Sequence, residues 1–80
     1  MIEGKWEWIA GGIIYDFHNN GTYDYFNAQA GRRVNARYRI EGNIIRYIDI
    51  GTAQEFSLSA DGKTLSMKFQ GSWMFFNRIG

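Results

Sequence analysis

Residues 56–69 read FSLSADGKTLSMKF, and this stretch decides the fold class. Apolar residues alternate with polar ones on both sides of Asp61–Gly62, a dipeptide that is preferred in type I′ turns of β-hairpins. A two-residue loop there pairs Leu58 with Leu65, which lie on the same inward face. A register shifted by one residue would turn every apolar side chain outward, so the turn and the alternation support the same hairpin.

Four further turns agree with one inward face in the same way. They are Ala10–Gly11, Asn19–Gly21, Gly42–Asn43 and Gly71–Ser72. In the last of these, glycine comes first, as a type II′ turn requires, and the loop pairs Phe69 with Met74. Evenly spaced turns between alternating segments are typical of an all-β sandwich or barrel.

The pattern predicts eight strands, at residues 4–9, 13–18, 22–26, 33–40, 44–49, 53–59, 63–69 and 73–79. Each strand pairs with the next, which gives an all-β, antiparallel, up-and-down meander without a helix. Closing such a meander into a barrel removes both unpaired edges. We therefore expect one domain, residues 1–80, that forms an eight-stranded β-barrel filled mainly by aromatic side chains, with a shallow pocket at one end.

Composition narrows the functional classes. The 80 residues include no cysteine and one histidine, so neither a thiolate metal site nor a pair of histidine ligands is available. The net charge of +1 does not by itself predict a polyanionic partner. No run of about 18 apolar residues predicts a membrane span. The N-terminus MIEGKWEW lacks the features of a signal peptide, so we expect a cytoplasmic protein, or an exported one whose signal has been removed.

Several motifs resemble those of small bacterial lipocalin-like (calycin-type) barrels. Gly4–Lys5–Trp6 resembles the Gly-x-Trp motif of the first lipocalin strand, and FHNNGTYDY resembles a hairpin of these domains. The segments RYRIEGNIIRYID, FSLSADGKTLSMKF and FFNRI follow the family's order of strands and turns. The resemblance implies a shortened lipocalin-like barrel in which Arg78 packs over Trp6. We expect Gly4, Trp6 and Arg78 to close one end of the barrel.

Catalysis is not expected. His18 is predicted at an exposed strand end, no serine has a base in phase with it, and no phosphate-binding motif occurs. Asp16 and Asp24 pair side by side but point outward, away from any cleft that would shift their pKa values. We therefore expect a non-enzymatic protein without a catalytic site, metal or other cofactor.

The basic residues Arg37, Arg39 and Arg46 form a second candidate site, on the outer face. Arg39 lies beside Arg46 in the predicted register, so each requires a carboxylate nearby or an acidic partner. Solvated ion pairs within the chain are the simpler alternative. Nucleic acid is an unlikely partner, because the tyrosines point inward and offer no stacking surface to single strands.

Outward apolar residues form a third candidate site. Trp73 and Phe75 alternate with inward residues of the last strand, and Ile44 and Ile48 also point outward. Exposed aromatic residues on a small barrel favour an interface. The main functional hypothesis is a non-catalytic protein-interaction module that binds itself or another protein, most simply as a homodimer.

Two alternatives remain open. The barrel end opposite Trp6 and Arg78 could bind a small apolar or amphipathic ligand, with Trp8, Phe26, Arg32 and Ile50 around the mouth and a long loop at 26–32 beside them. The small size of the chain also allows an inhibitor of a host enzyme that is carried by a mobile element.

Overall fold

A computed structural model describes residues 1–80 and contains eight strands in chain order. They are β1 (Gly4–Trp8), β2 (Ile13–Phe17), β3 (Thr22–Asn27), β4 (Gly31–Glu41), β5 (Ile44–Tyr47), β6 (Thr52–Leu58), β7 (Thr64–Phe69) and β8 (Ser72–Arg78). Each strand pairs antiparallel with the next, and β8 pairs with β1, which closes the barrel. The predicted all-β, up-and-down barrel is confirmed. None of its segments is a helix that could cross a membrane.

The barrel interior is filled by inward side chains of all eight strands and of the N-terminal segment. The residues that are nine-tenths or more buried are Ile2, Trp6, Phe17, Tyr23, Ala36, Tyr38, Ile45, Tyr47, Leu65, Met67 and Phe76. Aromatic rings contact one another through the centre, as in the stacked pair of Tyr15 and Phe17, whose centroids lie 5.5 Å apart. Large aromatic side chains supply the buried area that a chain of 80 residues requires.

Four predicted hairpin registers are confirmed by the strand pairing. The confirmed pairs are Trp6 with Tyr15, Phe17 with Tyr23, Tyr38 with Tyr47, and Leu58 with Leu65. In each hairpin, the turn residues and the apolar alternation demand the same offset, and a shift of one residue would expose the core side chains.

The register predicted for β7 and β8 is wrong by two residues. The turn is Gln70–Gly71, and Phe69 faces Ser72 instead of Met74. Both turn residues have positive φ, 49° and 81°, as the two central residues of a type I′ turn do. A shift of two keeps every residue on its predicted face, but it moves Phe69 to the end of the barrel, where its side chain is 54% exposed.

Two predicted loops are shorter than expected or displaced. β3 continues to Asn27 and β4 begins at Gly31, so the predicted loop at 26–32 is reduced to a tight turn. The Asn27 side-chain oxygen accepts hydrogen bonds from the amides of Gln29 and Ala30, which closes this turn. β5 ends at Tyr47, so Ile48 lies in a turn rather than in a strand.

A β-bulge in β4 changes which of its residues point into the barrel. Tyr25 pairs with Arg33 whereas Tyr23 pairs with Ala36, so β4 has one extra residue in this interval. Asn35 adopts a positive φ of 54°, and its amide donates to the Asp24 carboxylate at 2.9 Å. Because of the extra residue, Arg33 shares the inward face with Tyr25, while Val34 points outward and is 64% exposed.

Candidate functional site

One end of the barrel is closed by Trp6 and Arg78, the residues that the resemblance implies. Arg78 pairs with Trp6 between β8 and β1, and its guanidinium carbon lies 4.2 Å from the centre of the indole ring. The guanidinium also donates to the carbonyl oxygens of Gly62, Glu3 and Met1, at 2.9, 2.8 and 3.2 Å. One side chain therefore joins the β6–β7 turn, the N-terminal segment and the last strand.

The close packing at this end explains Gly4. Its φ is +130°, and a Cβ atom built on it would lie 2.3 Å from Nη1 of Arg78. Ile2 is buried next to this contact, which was not predicted from the sequence. The carbonyl oxygen of Ile2 accepts a hydrogen bond from the indole nitrogen of Trp6 at 2.8 Å, so the buried donor is satisfied. The first three residues thus form part of the closed end.

The opposite end of the barrel is open and contains a cavity of about 400 Å³. The cavity is lined by Tyr15, Tyr25, Arg33, Tyr47, Ile50, Thr52, Ala53, Gln54, Lys68, Phe69 and Gln70. An adjoining space of about 120 Å³, which reaches the buried ring of Phe76, shares Tyr15, Tyr25, Gln54 and Phe69 with it. The volume of the main cavity, about 400 Å³, lies within the range of roughly 300–1,000 Å³ that is usual for small-molecule sites.

Arg33 provides the charge of this cavity, and the sequence analysis did not single it out. Its Nε donates to the Tyr23 hydroxyl at 3.2 Å, and its guanidinium carbon lies 4.5 Å from the ring centre of Tyr25. None of the ion pairs in the structure involves Arg33. Strict alternation along β4 predicts that Arg33 points outward, and only the bulge at Asn35 turns its side chain inward.

Neutral hydroxyl groups surround the guanidinium of Arg33. Burial raises the pKa of Tyr15 well above its ordinary value, and the neighbouring Tyr25 adds to this effect. Burial and the neighbouring Tyr15 likewise raise the pKa of Tyr47, whose hydroxyl donates to the Gln54 side-chain oxygen at 2.7 Å. The cavity therefore combines a cation with tyrosine and amide groups that form hydrogen bonds without carrying charge.

Of the four residues predicted around the mouth, Ile50 lines the cavity and the other three lie elsewhere. Phe26 pairs with Arg32 on the outer face, where both border a groove of about 240 Å³. The predicted inward position of Arg32 is overturned by the β4 bulge, which exchanges the faces of Arg32 and Arg33. Trp8 packs against the core and borders a small cleft at the β1–β2 turn.

The three arginines of the basic patch each have a carboxylate partner. Arg37 binds Asp49 through its backbone amide and its guanidinium, with a closest ion-pair distance of 2.6 Å. Arg39 and Arg46 both bind Glu41, at 2.6 and 2.5 Å. The hydrogen bonds from Arg46 and Arg39 lower the pKa of Glu41, and those from Arg37 lower the pKa of Asp49. The structure thus contains the solvated ion pairs that were the simpler alternative.

The outward apolar residues divide into separate groups. Trp73 and Phe75 lie on β8 and are 41% and 45% exposed. Ile44 lies on β5 and Ile48 in the turn after it, and β6 and β7 separate them from β8. Ile9, which the sequence analysis placed on the outer face, donates its amide to the Phe75 carbonyl at 2.9 Å and continues the β8 group across the seam with β1.

His18 lies against two carboxylates rather than being free at a strand end. Its Nε2 is 3.7 Å from Asp16 and 3.6 Å from Asp24, and these two aspartates pair across β2 and β3 as predicted. The other ring nitrogen, Nδ1, is 2.9 Å from the Thr22 hydroxyl, which holds the ring in this orientation. The group is partly exposed on the outer wall of the barrel.

The barrel of eight antiparallel strands is compatible with a lipocalin-like fold. No family model matched the chain, and comparisons with curated proteins and with solved structures also found no match. The cavity at the open end is larger than the outer groove that borders Arg32, and its lining contains no carboxylate, whereas the groove is also lined by Asp16 and Asp24.

Proposed function

We propose that the protein is a non-catalytic barrel that binds a small amphipathic molecule in the cavity at its open end. The observation that carries the proposal is the open-ended cavity itself, with a volume of about 400 Å³ between Tyr15, Tyr47 and Phe69. A preformed, largely apolar cavity with a few convergent polar groups is the usual form of a small-molecule site. The closed end, held by Arg78, leaves one entrance.

Blocking the cavity tests this proposal. Thr52 is exposed and lines the mouth, so Thr52→Trp would fill the entrance without disturbing the buried core. Ser57→Trp is the matched control, because Ser57 is exposed on the same strand and is not among the cavity residues. Binding of naphthalene, or of a library of small-molecule fragments, is followed by NMR. We expect the signals of Tyr15 and Tyr47 to shift in the wild type and in Ser57→Trp, but not in Thr52→Trp. Binding that is equal in all three proteins would contradict the proposal.

Self-association through the outer face is a second proposal, supported by one specific contact. Ile9 and Phe75 are joined by a backbone hydrogen bond of 2.9 Å and, with Trp73, form an apolar patch across the β1–β8 seam. Exposed aromatic residues that lie together favour an interface with a second copy or another protein.

Sedimentation equilibrium tests this second proposal. We expect a concentration-dependent dimer that becomes monomeric in the double variant Trp73→Ser, Phe75→Ser. Val34→Ser is the control, because Val34 is 64% exposed on β4, away from the seam. A wild-type protein that stays monomeric at high concentration would eliminate self-association through this patch.

We also propose that the chain is a shortened member of the lipocalin-like group. The support is the combination of Gly4–Lys5–Trp6 at the start of β1 with an Arg78 guanidinium 4.2 Å from the centre of the indole ring. Related sequences in which these positions vary independently of one another would count against it.

A further inference from the structure

The cavity contains a cation whose donors are only partly used. Arg33 uses Nε to bind the Tyr23 hydroxyl, whereas its two terminal nitrogens make no hydrogen bond within the protein. The guanidinium is partly buried and lies over the Tyr25 ring. No buried side-chain nitrogen in the structure lacks a hydrogen-bond partner, so these two terminal nitrogens remain accessible from the open cavity and are free to bind an anion.

We propose that the cavity selects anionic amphipathic ligands and that Arg33 binds their oxyanion. This inference rests on the proposed function, because it assigns the ligand class of the same cavity. The planar guanidinium presents paired donors that match a carboxylate, sulfonate or phosphate group.

The charges around the cavity support an anion. Its lining includes Arg33 but neither aspartate nor glutamate. Lys68 also borders the cavity, but it pairs with Trp73 and its ammonium lies 5.9 Å from that ring on the outer wall. Arg37, Arg39 and Arg46, by contrast, are each bound to a carboxylate on the outer wall. Arg33 thus differs from them both in its position and in having no carboxylate partner. A cation of this kind attracts an anion more strongly inside a cavity than on an open surface.

The apolar part of the ligand has a defined place beside this charge. Phe69 and Ile50 line the mouth, and the adjoining space beyond Tyr15 reaches Met74 and Phe76. An oxyanion at Arg33 would therefore lie next to aromatic walls that can bury a ring or a short alkyl chain. The Tyr15 hydroxyl stays neutral, because burial raises its pKa, and it does not repel an anion.

The bulge in β4 is the structural device that creates this site. Without the extra residue at Asn35, Arg33 would point to solvent, and Arg32 would be turned inward one position further from Tyr23. Bulges commonly redirect a side chain toward a functional site. The positive φ of 54° at Asn35 is a conformation that most residues other than glycine avoid.

Two probes that share a skeleton but differ in charge test the inference. The anion 8-anilinonaphthalene-1-sulfonate and the neutral N-phenyl-1-naphthylamine differ mainly by the sulfonate group. Their binding to wild type, Arg33→Met and Arg32→Met is measured by fluorescence titration. We expect Arg33→Met to weaken the anionic probe about tenfold or more, the amount expected for one hydrogen-bonded charge, and to leave the neutral probe nearly unchanged. Arg32→Met, on the outer face, should change neither.

The outcomes separate the two levels of the proposal. If Arg33→Met leaves the preference for the anionic probe unchanged, the assignment of Arg33 is overturned, although the cavity still binds. If neither probe binds, or if Thr52→Trp binds both as well as the wild type, the cavity is not a binding site and the proposed function fails as well. Displacement of the anionic probe by 1-naphthoate or by 1-naphthyl phosphate would support the inference. The compound that displaces the probe at the lower concentration would show whether the cavity prefers a carboxylate or a phosphate. If neutral naphthalene displaces the anionic probe but neither of the two anions does, the inference is overturned.

Discussion

Placing a methyl group on Gly4 is expected to break the contacts that close the barrel. The new Cβ would lie 2.3 Å from Nη1 of Arg78 and 2.9 Å from the Gly80 carbonyl oxygen, so the guanidinium must move. Moving it breaks the 2.8 Å hydrogen bond to the Glu3 carbonyl and separates the guanidinium from the Trp6 ring. Alanine is also strained at a φ of +130°.

The expected loss of stability follows from these three effects. A hydrogen bond to a charged group contributes about 1.5–3 kcal/mol, and a partly exposed cation–π contact about 0.5–1 kcal/mol. Backbone strain adds about 1–3 kcal/mol. Gly4→Ala should therefore lower the free energy of unfolding by about 3–7 kcal/mol, which approaches the total stability of about 4–12 kcal/mol that is typical of a chain of this length.

A double-mutant cycle separates the contact from the strain. Arg78→Met keeps an apolar chain over Trp6 but removes the guanidinium and all three of its hydrogen bonds. Its expected cost therefore exceeds the about 2–4 kcal/mol of one charged hydrogen bond and the cation–π contact. In that background the new methyl group has no guanidinium to displace, so Gly4→Ala should add only about 1–3 kcal/mol of strain. Gly4→Ala should then cost less in the Arg78→Met background than the about 3–7 kcal/mol that it costs in the wild type.

Urea denaturation followed by tryptophan fluorescence measures all four proteins. Trp6 is completely buried under Arg78, and its emission adds to that of Trp8 and Trp73, so the titration follows unfolding of the whole barrel, including the closed end. Additive losses, in which Gly4→Ala costs as much in the Arg78→Met background as in the wild type, would refute the coupling between Gly4 and Arg78. A Gly4→Ala protein with the stability of the wild type would refute the close contact itself.

Three further predictions concern the core, the bulge and the tyrosines. Leu65→Ala should cost about 2–5 kcal/mol in urea denaturation because Leu65 is fully buried, whereas Ile79→Ala, at a position that is 48% exposed, should stay within about 0.5 kcal/mol of the wild type; equal losses would contradict this. Asn35→Val should lower the free energy of unfolding by about 1–3 kcal/mol through strain at positive φ, and thereby the melting temperature, whereas Asn35→Gly should not. Two variants with equal melting temperatures would show that the bulge is unstrained. Tyr15 and Tyr47 have raised pKa values in the folded state. Above the ordinary tyrosine pKa of about 10, the unfolded chain loses these protons while the folded chain keeps them, so the free energy of unfolding falls; below that pH it is unaffected. Tyr15→Phe should make that alkaline loss shallower in pH-dependent melting curves, and an unchanged slope would contradict the assignment.

Much of the barrel could be predicted because its turns and its alternation carry the same information. At Leu58 and Leu65, the Asp-Gly turn and the apolar spacing allow one register, and the structure has that register. At Phe69 the turn and the apolar alternation do not define a single register. Gln70–Gly71 and Gly71–Ser72 are both acceptable turns, and both keep Phe69 on the inward face. The sequence therefore determines the face of Phe69 but not its distance from the barrel end.

The candidate site was harder to predict because it depends on an irregularity. Alternation counted back from Tyr38 places Val34 and Arg32 inside and Arg33 outside. Asn35 is a residue that tolerates positive φ, and this is the one local signal for the bulge. The spacing of apolar residues in β4 does not determine which residue is the extra one. The bulge is held by Asp24 on β3, whose carboxylate accepts a hydrogen bond from the Asn35 amide. Burial of Ile2 depends in the same way on contacts that form only after the barrel closes.

The pairing of β8 with β1 restricts how the protein can meet another molecule. Every strand already has two neighbours, so no row of free amide and carbonyl groups is available to add a strand from a partner. A complex formed through Trp73 and Phe75 must therefore rest on side-chain packing alone. Such a contact lacks the directional backbone bonds of a shared sheet, and it can be dissolved by a single polar substitution without altering the strands that support it.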